Sequence, residues 1–78
     1  MATAPARYTT VREPLGRWLV AQRGRDDSIG QLADAARRDP GFPLDGNFEA
    51  ISKRLNMQSA DPDMHEALEQ AELDWAAL

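Results

Sequence analysis

The stretch DDSIGQLADAARRDPGFP, Asp26–Pro43, decides the fold. It reads as one short helix with both ends marked. Asp27 or Ser28 stands where an N-cap accepts from the free amides of a first turn, and Ser28 with Gln31 has the spacing of a capping box. Ile29, Leu32, Ala33 and Ala36 recur at i, i+3, i+4 and i+7, which puts them on one helix face. Arg37 and Arg38 follow where the negative end of the helix dipole favours cations. Asp39-Pro40-Gly41 then stops the helix, because proline disfavours helical backbone in the residue before it and Pro-Gly favours a tight turn. Past the stop, Phe42 lies between Gly41 and Pro43. The spacing predicts that this rigid loop aims the ring into the core, where one aromatic buries roughly 150–250 Å².

Three more helices flank this one. The first is expected to start near Arg12 to Pro14, since proline is well tolerated in a first turn. Leu15, Trp18 and Leu19 share its inner face, and Gly24 supplies the stop. The third helix is capped by Asp45 or Asn47 and carries Phe48, Ile51 and Leu55 at i, i+3 and i+7. The fourth opens on Asp61-Pro62, a cap followed by proline, and carries Met64, Ala67, Leu68, Ala71 and Trp75 on one stripe. No segment alternates β-branched residues with period two, so no sheet is predicted. The expected architecture is all-α, a small irregular four-helix bundle. Its expected core is Leu15, Trp18, Leu19, Ile29, Leu32, Ala33, Ala36, Phe42, Phe48, Ile51, Leu55, Leu68, Ala71 and Trp75.

The totals bound the rest. A chain of 78 residues is one domain near the size at which a single core barely suffices. Leu, Ile, Val and Phe make up only 14 of the 78 residues, with two Trp, three Met and many Ala adding to them. A net charge of -4 is too small to hold the chain open by repulsion. There is no cysteine, so a disulfide framework and a thiolate metal site are both excluded. No run approaches the roughly 20 apolar residues of a membrane span. Residues 1–11 read as a flexible lead-in without the apolar run of a secretion signal, and 12–78 as the helical domain. The expected compartment is the cytoplasm.

Taken together and in this order, RWLVAQR, the Asp26–Pro43 stretch, NFEAISKRL and EALEQAELDW resemble the YozE family of small bacterial proteins. Its members have a sterile-alpha-motif-like (SAM-like) fold. They show an aromatic-Leu pair in the first helix, Asp-[Ser/Pro]-Ile before an Ala-rich helix, an Asp and a Phe-Pro after a short gap, and an Ala-Trp-like ending. The resemblance runs over about residues 12–76, and its most specific part is Asp39–Pro43. Three departures are visible: a shorter first loop, Leu15 where an aromatic is usual, and Glu-Ala-Ile in place of Glu-Ile. The resemblance implies a SAM-like architecture and brings no activity with it.

Chemistry-bearing residues are few. His65 is the single histidine, and Asp61, His65 and Glu69 at i, i+4 and i+8 offer too few converging ligands for a metal. Ser28, Ser52 and Ser59 have no base near them in sequence. Asp26-Asp27 and Asp61/Asp63 stand at helix starts, where capping explains them better than acid-base work. No Gly-rich phosphate loop is present. The expectation is a protein that is not an enzyme and takes no cofactor, metal or small-molecule ligand.

Charge is distributed unevenly. Residues 1–38 carry seven Arg against four acids, and residues 39–78 carry Lys53 and Arg54 against nine acids. Arg17, Arg23, Arg25, Arg37 and Arg38 form the candidate basic surface, and Glu66, Glu69 and Glu72 the candidate acidic one. Two surfaces of opposite sign suit a protein partner or head-to-tail self-association, steered by charge and sensitive to salt. The alternative is nucleic acid, with the arginines of the first two helices on phosphates. A sequence pI near 4.7 and the single aromatic Tyr8 outside the expected core argue against it. Protein interaction is the leading expectation, with no membrane association.

Overall fold

The computed structural model describes residues 13–78, and the expected lead-in, Tyr8 included, lies outside the described residues. Four helices follow in order: α1 Leu15–Ala21, α2 Ser28–Arg37, α3 Phe48–Met57 and α4 Pro62–Ala76. No strand occurs among the described residues. α4 is the longest and packs against all three others, most extensively against α2. α1 packs on α2 and touches α3, but α2 and α3 do not pack on each other. That missing contact leaves a gap between them.

The caps show how the sequence sets these boundaries. Asp27 caps α2, its Oδ1 accepting from the Gly30 amide at 2.9 Å, so the capping box expected of Ser28 and Gln31 gives way to an ordinary aspartate cap with Ser28 as the first helical residue. Asn47, rather than Asp45, caps α3 by accepting from the Ala50 amide at 3.0 Å. Asp45 is drawn instead to Arg17, whose Nε lies 2.7 Å from Asp45 Oδ1. Pro14 is the residue before α1, not inside it, and the helix begins at Leu15. Gly24, at φ 86°, turns the chain after α1 as expected.

The core is nearly the expected one. Leu15, Trp18, Leu19, Ile29, Leu32, Ala33, Ala36, Phe42, Ile51, Leu55, Leu68 and Ala71 are buried, together with Ala67. Phe48 and Trp75 are corrections: both are only half-buried and pack against the core from its edge. Trp75 has a polar tip to satisfy, and its indole Nε1 donates to the backbone oxygen of Glu13 at 2.9 Å. This bond ties the end of α4 to the residue that leads into α1.

Phe42 fills part of the gap between α2 and α3 and is 8% exposed. Two consecutive tight turns hold it there. In the first, the Phe42 amide donates to the Asp39 oxygen at 3.1 Å, with Pro40 and Gly41 at the turn centre. In the second, the Gly46 amide donates to the Pro43 oxygen at 2.9 Å. This second turn lies against α1 so closely that Gly16 faces the carbonyls of Pro43 and Leu44 with no space for a Cβ, while its amide donates to the Gly46 oxygen at 3.2 Å.

Candidate functional site

Because the backbones of α2 and α3 stay apart, the gap beyond Phe42 stays open to solvent as a groove of about 310 Å³. Leu32 and Ala36 from α2, Phe42, Leu55 from α3 and Met64 from α4 make its apolar walls. Its polar rim is Asp39 on one side and Gln58, Ser59 and Asp61 of the α3–α4 turn on the other. This volume is at the small end of the roughly 300–1,000 Å³ found for ligand pockets and is enough to admit one large apolar side chain. A second groove of about 260 Å³ lies on the other side of Phe42, between Val20, Arg37, Pro40 and Leu44.

Asp39 holds the rim in place. Its Oδ2 accepts from Arg54 Nε at 2.9 Å and from Gln58 Nε2 at 3.0 Å, and its Oδ1 accepts from Arg54 Nη2 at 2.6 Å and from the Gly41 amide at 3.0 Å. All four lone-pair sites of the carboxylate are therefore used. The Arg54 hydrogen bonds, with help from the Gly41 amide and Gln58, bring Asp39 down to a pKa of about 2. The same pairing raises Arg54 further above its already high value. So the helix-stopping residue of α2 is clamped to α3, and a polar link joins two helices whose backbones stay apart.

The α3–α4 turn has its own signature. The Ala60 amide donates to the Leu55 oxygen at 3.0 Å and the Ser59 amide to the Asn56 oxygen at 3.1 Å, the two bonds of a Schellman motif. Glycine commonly occupies the left-handed position of that motif, but here it is Ser59, at φ 55°. Asp61 precedes α4, yet its carboxylate makes no capping bond and no ion pair among the described residues.

The residues singled out from the sequence are spread over the molecule. Arg17 is bound to Asp45, which raises its pKa through that hydrogen bond. Arg25 reaches Asp27 at 2.7 Å and Asp74 at 3.8 Å. Asp27 is held below the usual carboxylate range, first by the Gly30 amide and then by Arg25. Arg23, Arg37 and Arg38 form no ion pair among the described residues, and neither do Glu66, Glu69 and Glu72 of α4. Arg25 precedes α2 and Arg37 and Arg38 end it, so the candidate cations are distributed along a helix about 15 Å long. Among the described residues no group of three or more His, Cys, Asp or Glu is placed to hold a metal, and no helix is long and apolar enough to cross a membrane.

The Asp39–Arg54 link and the Ser59 turn escaped sequence reasoning for definite reasons. Asp39 and Arg54 are 15 positions apart and share no periodicity, and Asp39 already had a reading as a helix stop. Ser59 gave no signal because a left-handed position normally announces itself with glycine or asparagine.

A family model described as the YozE SAM-like fold matches residues 17–75. The chain belongs to the YozE SAM-like family. The match takes in all of α2 and α3, both turns around Phe42 and the α3–α4 turn, so the whole groove lies inside the YozE SAM-like region. Neither the curated proteins nor the solved structures contain a match to the chain.

Proposed function

We propose that this protein is a non-enzymatic interaction module of the cytoplasm that binds another protein. The observation that supports the reading most is the open groove beside Phe42, where a domain poor in large apolar residues leaves apolar wall facing solvent although one more large side chain would close it. Four large apolar residues, Leu44, Met57, Leu73 and Leu78, are also exposed. Recessed apolar surface with a polar rim is the common anatomy of a protein-binding site.

Self-association is one form of this reading. Glu66, Glu69 and Glu72 on α4 and Arg23, Arg37 and Arg38, none of which forms an ion pair among the described residues, give a single copy both charge signs to offer. Sedimentation at low and high salt tests it: a concentration-dependent oligomer that dissociates as salt rises supports head-to-tail contact, and a monomer throughout excludes it.

The deciding experiment is a tagged pull-down from the native host, divided into nuclease-treated and untreated halves. A stoichiometric protein that survives nuclease bears out the module. Recovery that vanishes with nuclease overturns it in favour of nucleic acid contact through Arg23, Arg37 and Arg38.

A further inference from the structure

We infer that the groove between α2, Phe42 and the α3–α4 turn receives one large apolar side chain from a partner protein segment in which an Arg or Lys stands next to that side chain, the cation pairing with Asp61. This rests on the interaction-module reading and adds the chemistry of the partner to it.

Shape supplies the first half. The walls made by Leu32, Ala36, Phe42, Leu55 and Met64 carry no polar side-chain atom able to anchor a polar ligand. Transferring an apolar group from water to such walls is favourable in proportion to the area covered. A polar group in the same place would lose hydrogen bonds to water with nothing to replace them.

Charge supplies the second half. Two carboxylates stand on the rim, and they are not equivalent. Asp39 is neutralised by Arg54 and accepts four hydrogen bonds, so it has no capacity left for a ligand. Asp61 caps nothing and pairs with nothing among the described residues, which makes it the one uncompensated charge lining the groove. The charge next to it has the same sign, because Asp63 and Glu66 stand in the first turns of α4 and residues 59–78 contain no Lys or Arg. A cation arriving beside the buried side chain therefore meets a free acceptor, and an acidic segment is repelled. Ser59 strengthens the assignment. Its left-handed backbone carries a strain that glycine would remove, and its side chain adds a hydroxyl to the same rim.

The test is a titration of the full ¹⁵N-labelled chain with three capped pentapeptides: Ala-Arg-Phe-Arg-Ala, Ala-Glu-Phe-Glu-Ala and Ala-Arg-Ala-Arg-Ala. The Arg-Phe-Arg peptide is expected to give saturable shifts at the amides of Ala35, Phe42, Ser59 and Met64. The other two should bind at least several-fold more weakly, one for want of the right charge and one for want of the ring. Asp61→Asn should weaken the Arg-Phe-Arg peptide about two- to fivefold, the range of a solvent-facing ion pair, and leave the Glu-Phe-Glu peptide unweakened. Ala35→Leu, which fills the groove from α2, should abolish the shifts while the rest of the spectrum is retained. If that variant fails to fold, the Asp61→Asn comparison decides alone. No shift at millimolar peptide, shifts centred elsewhere, or equal affinity for the Arg and Glu peptides would overturn the assignment. A native partner still captured by folded Ala35→Leu would leave the module standing and remove the groove as its site. Groove binding of the peptide with no protein captured from the host would do the reverse.

Discussion

Asp39 and Arg54 are joined by two hydrogen bonds, Nε to Oδ2 at 2.9 Å and Nη2 to Oδ1 at 2.6 Å, with their side chains only 10% and 27% exposed. A two-point guanidinium–carboxylate contact is stronger and more directional than a surface pair held by one atom. It connects the turn after α2 to the last turns of α3, two helices whose backbones stay apart. The contact therefore fixes the width of the groove as well as adding to stability.

Acid should expose this link. The folded Asp39 has a pKa of about 2, below its unfolded value near 3.8, so its contribution is complete at pH above about 4 and is lost as pH falls from there toward 2. Asp27, also held low, loses its contribution in the same direction. Chemical denaturation at neutral pH and at pH 2 should show the native chain losing stability on acidification. Asp39→Asn should be less stable by about 1–2 kcal/mol at neutral pH, after allowance for solvent screening, and should lose less between the two pH values. An Asp39→Asn acid profile parallel to that of the native chain would refute the assignment.

Phe42→Ala should cost about 3–5 kcal/mol, because it joins the existing groove to a new cavity in a core that has few large residues. For so small a domain this is a large share of the total. A melting temperature that hardly moved would mean the ring is not structural.

Ser59→Gly should stabilise the fold by a few tenths to about 1 kcal/mol. It removes a left-handed strain of roughly 1–2 kcal/mol and gives part of that back as unfolded-chain entropy. The midpoint of urea unfolding measures the difference, and a destabilised variant would show that the Ser59 side chain holds the turn.

The three polar residues that precede α2, α3 and α4 should separate. Asp27→Ala and Asn47→Ala each remove a hydrogen bond to a first-turn amide and should cost about 1 kcal/mol. Asp61→Ala breaks no such bond and should cost clearly less, as read by thermal melts of the three variants side by side.

Gly16→Ala should destabilise by about 1–3 kcal/mol, since a methyl there would meet backbone carbonyls that cannot swing aside as a side chain could. Denaturant unfolding measures the loss, and an unchanged midpoint would mean that the turn after Phe42 yields easily.

Much of this molecule was legible along the chain. Ile29, Leu32, Ala33 and Ala36 declared α2 by their period, Pro40 and Gly41 declared its end, and Phe42 between Gly41 and Pro43 declared a ring aimed inward. Phe48 and Trp75 fit the same stripes yet lie at the core's edge, because periodicity names a face and not how much of it a neighbour covers. Ser28 with Gln31 matched a capping box, but the cap is Asp27, one residue earlier, which accepts from the Gly30 amide.

What the sequence by itself determined is local: which residues form helices, where each stops, and which face is apolar, since these follow from backbone geometry and spacing within a few turns. Only the tertiary structure decided that the backbones of α2 and α3 stay apart, that Asp39 reaches Arg54, that Arg17 reaches Asp45 and Arg25 reaches Asp74, and that Asp61 on the rim of the groove forms no ion pair among the described residues. Those outcomes depend on distances between residues far apart in the chain, and no pattern of spacing encodes such distances. They are set when the four helices compete for one small core and α4, the longest, takes the centre.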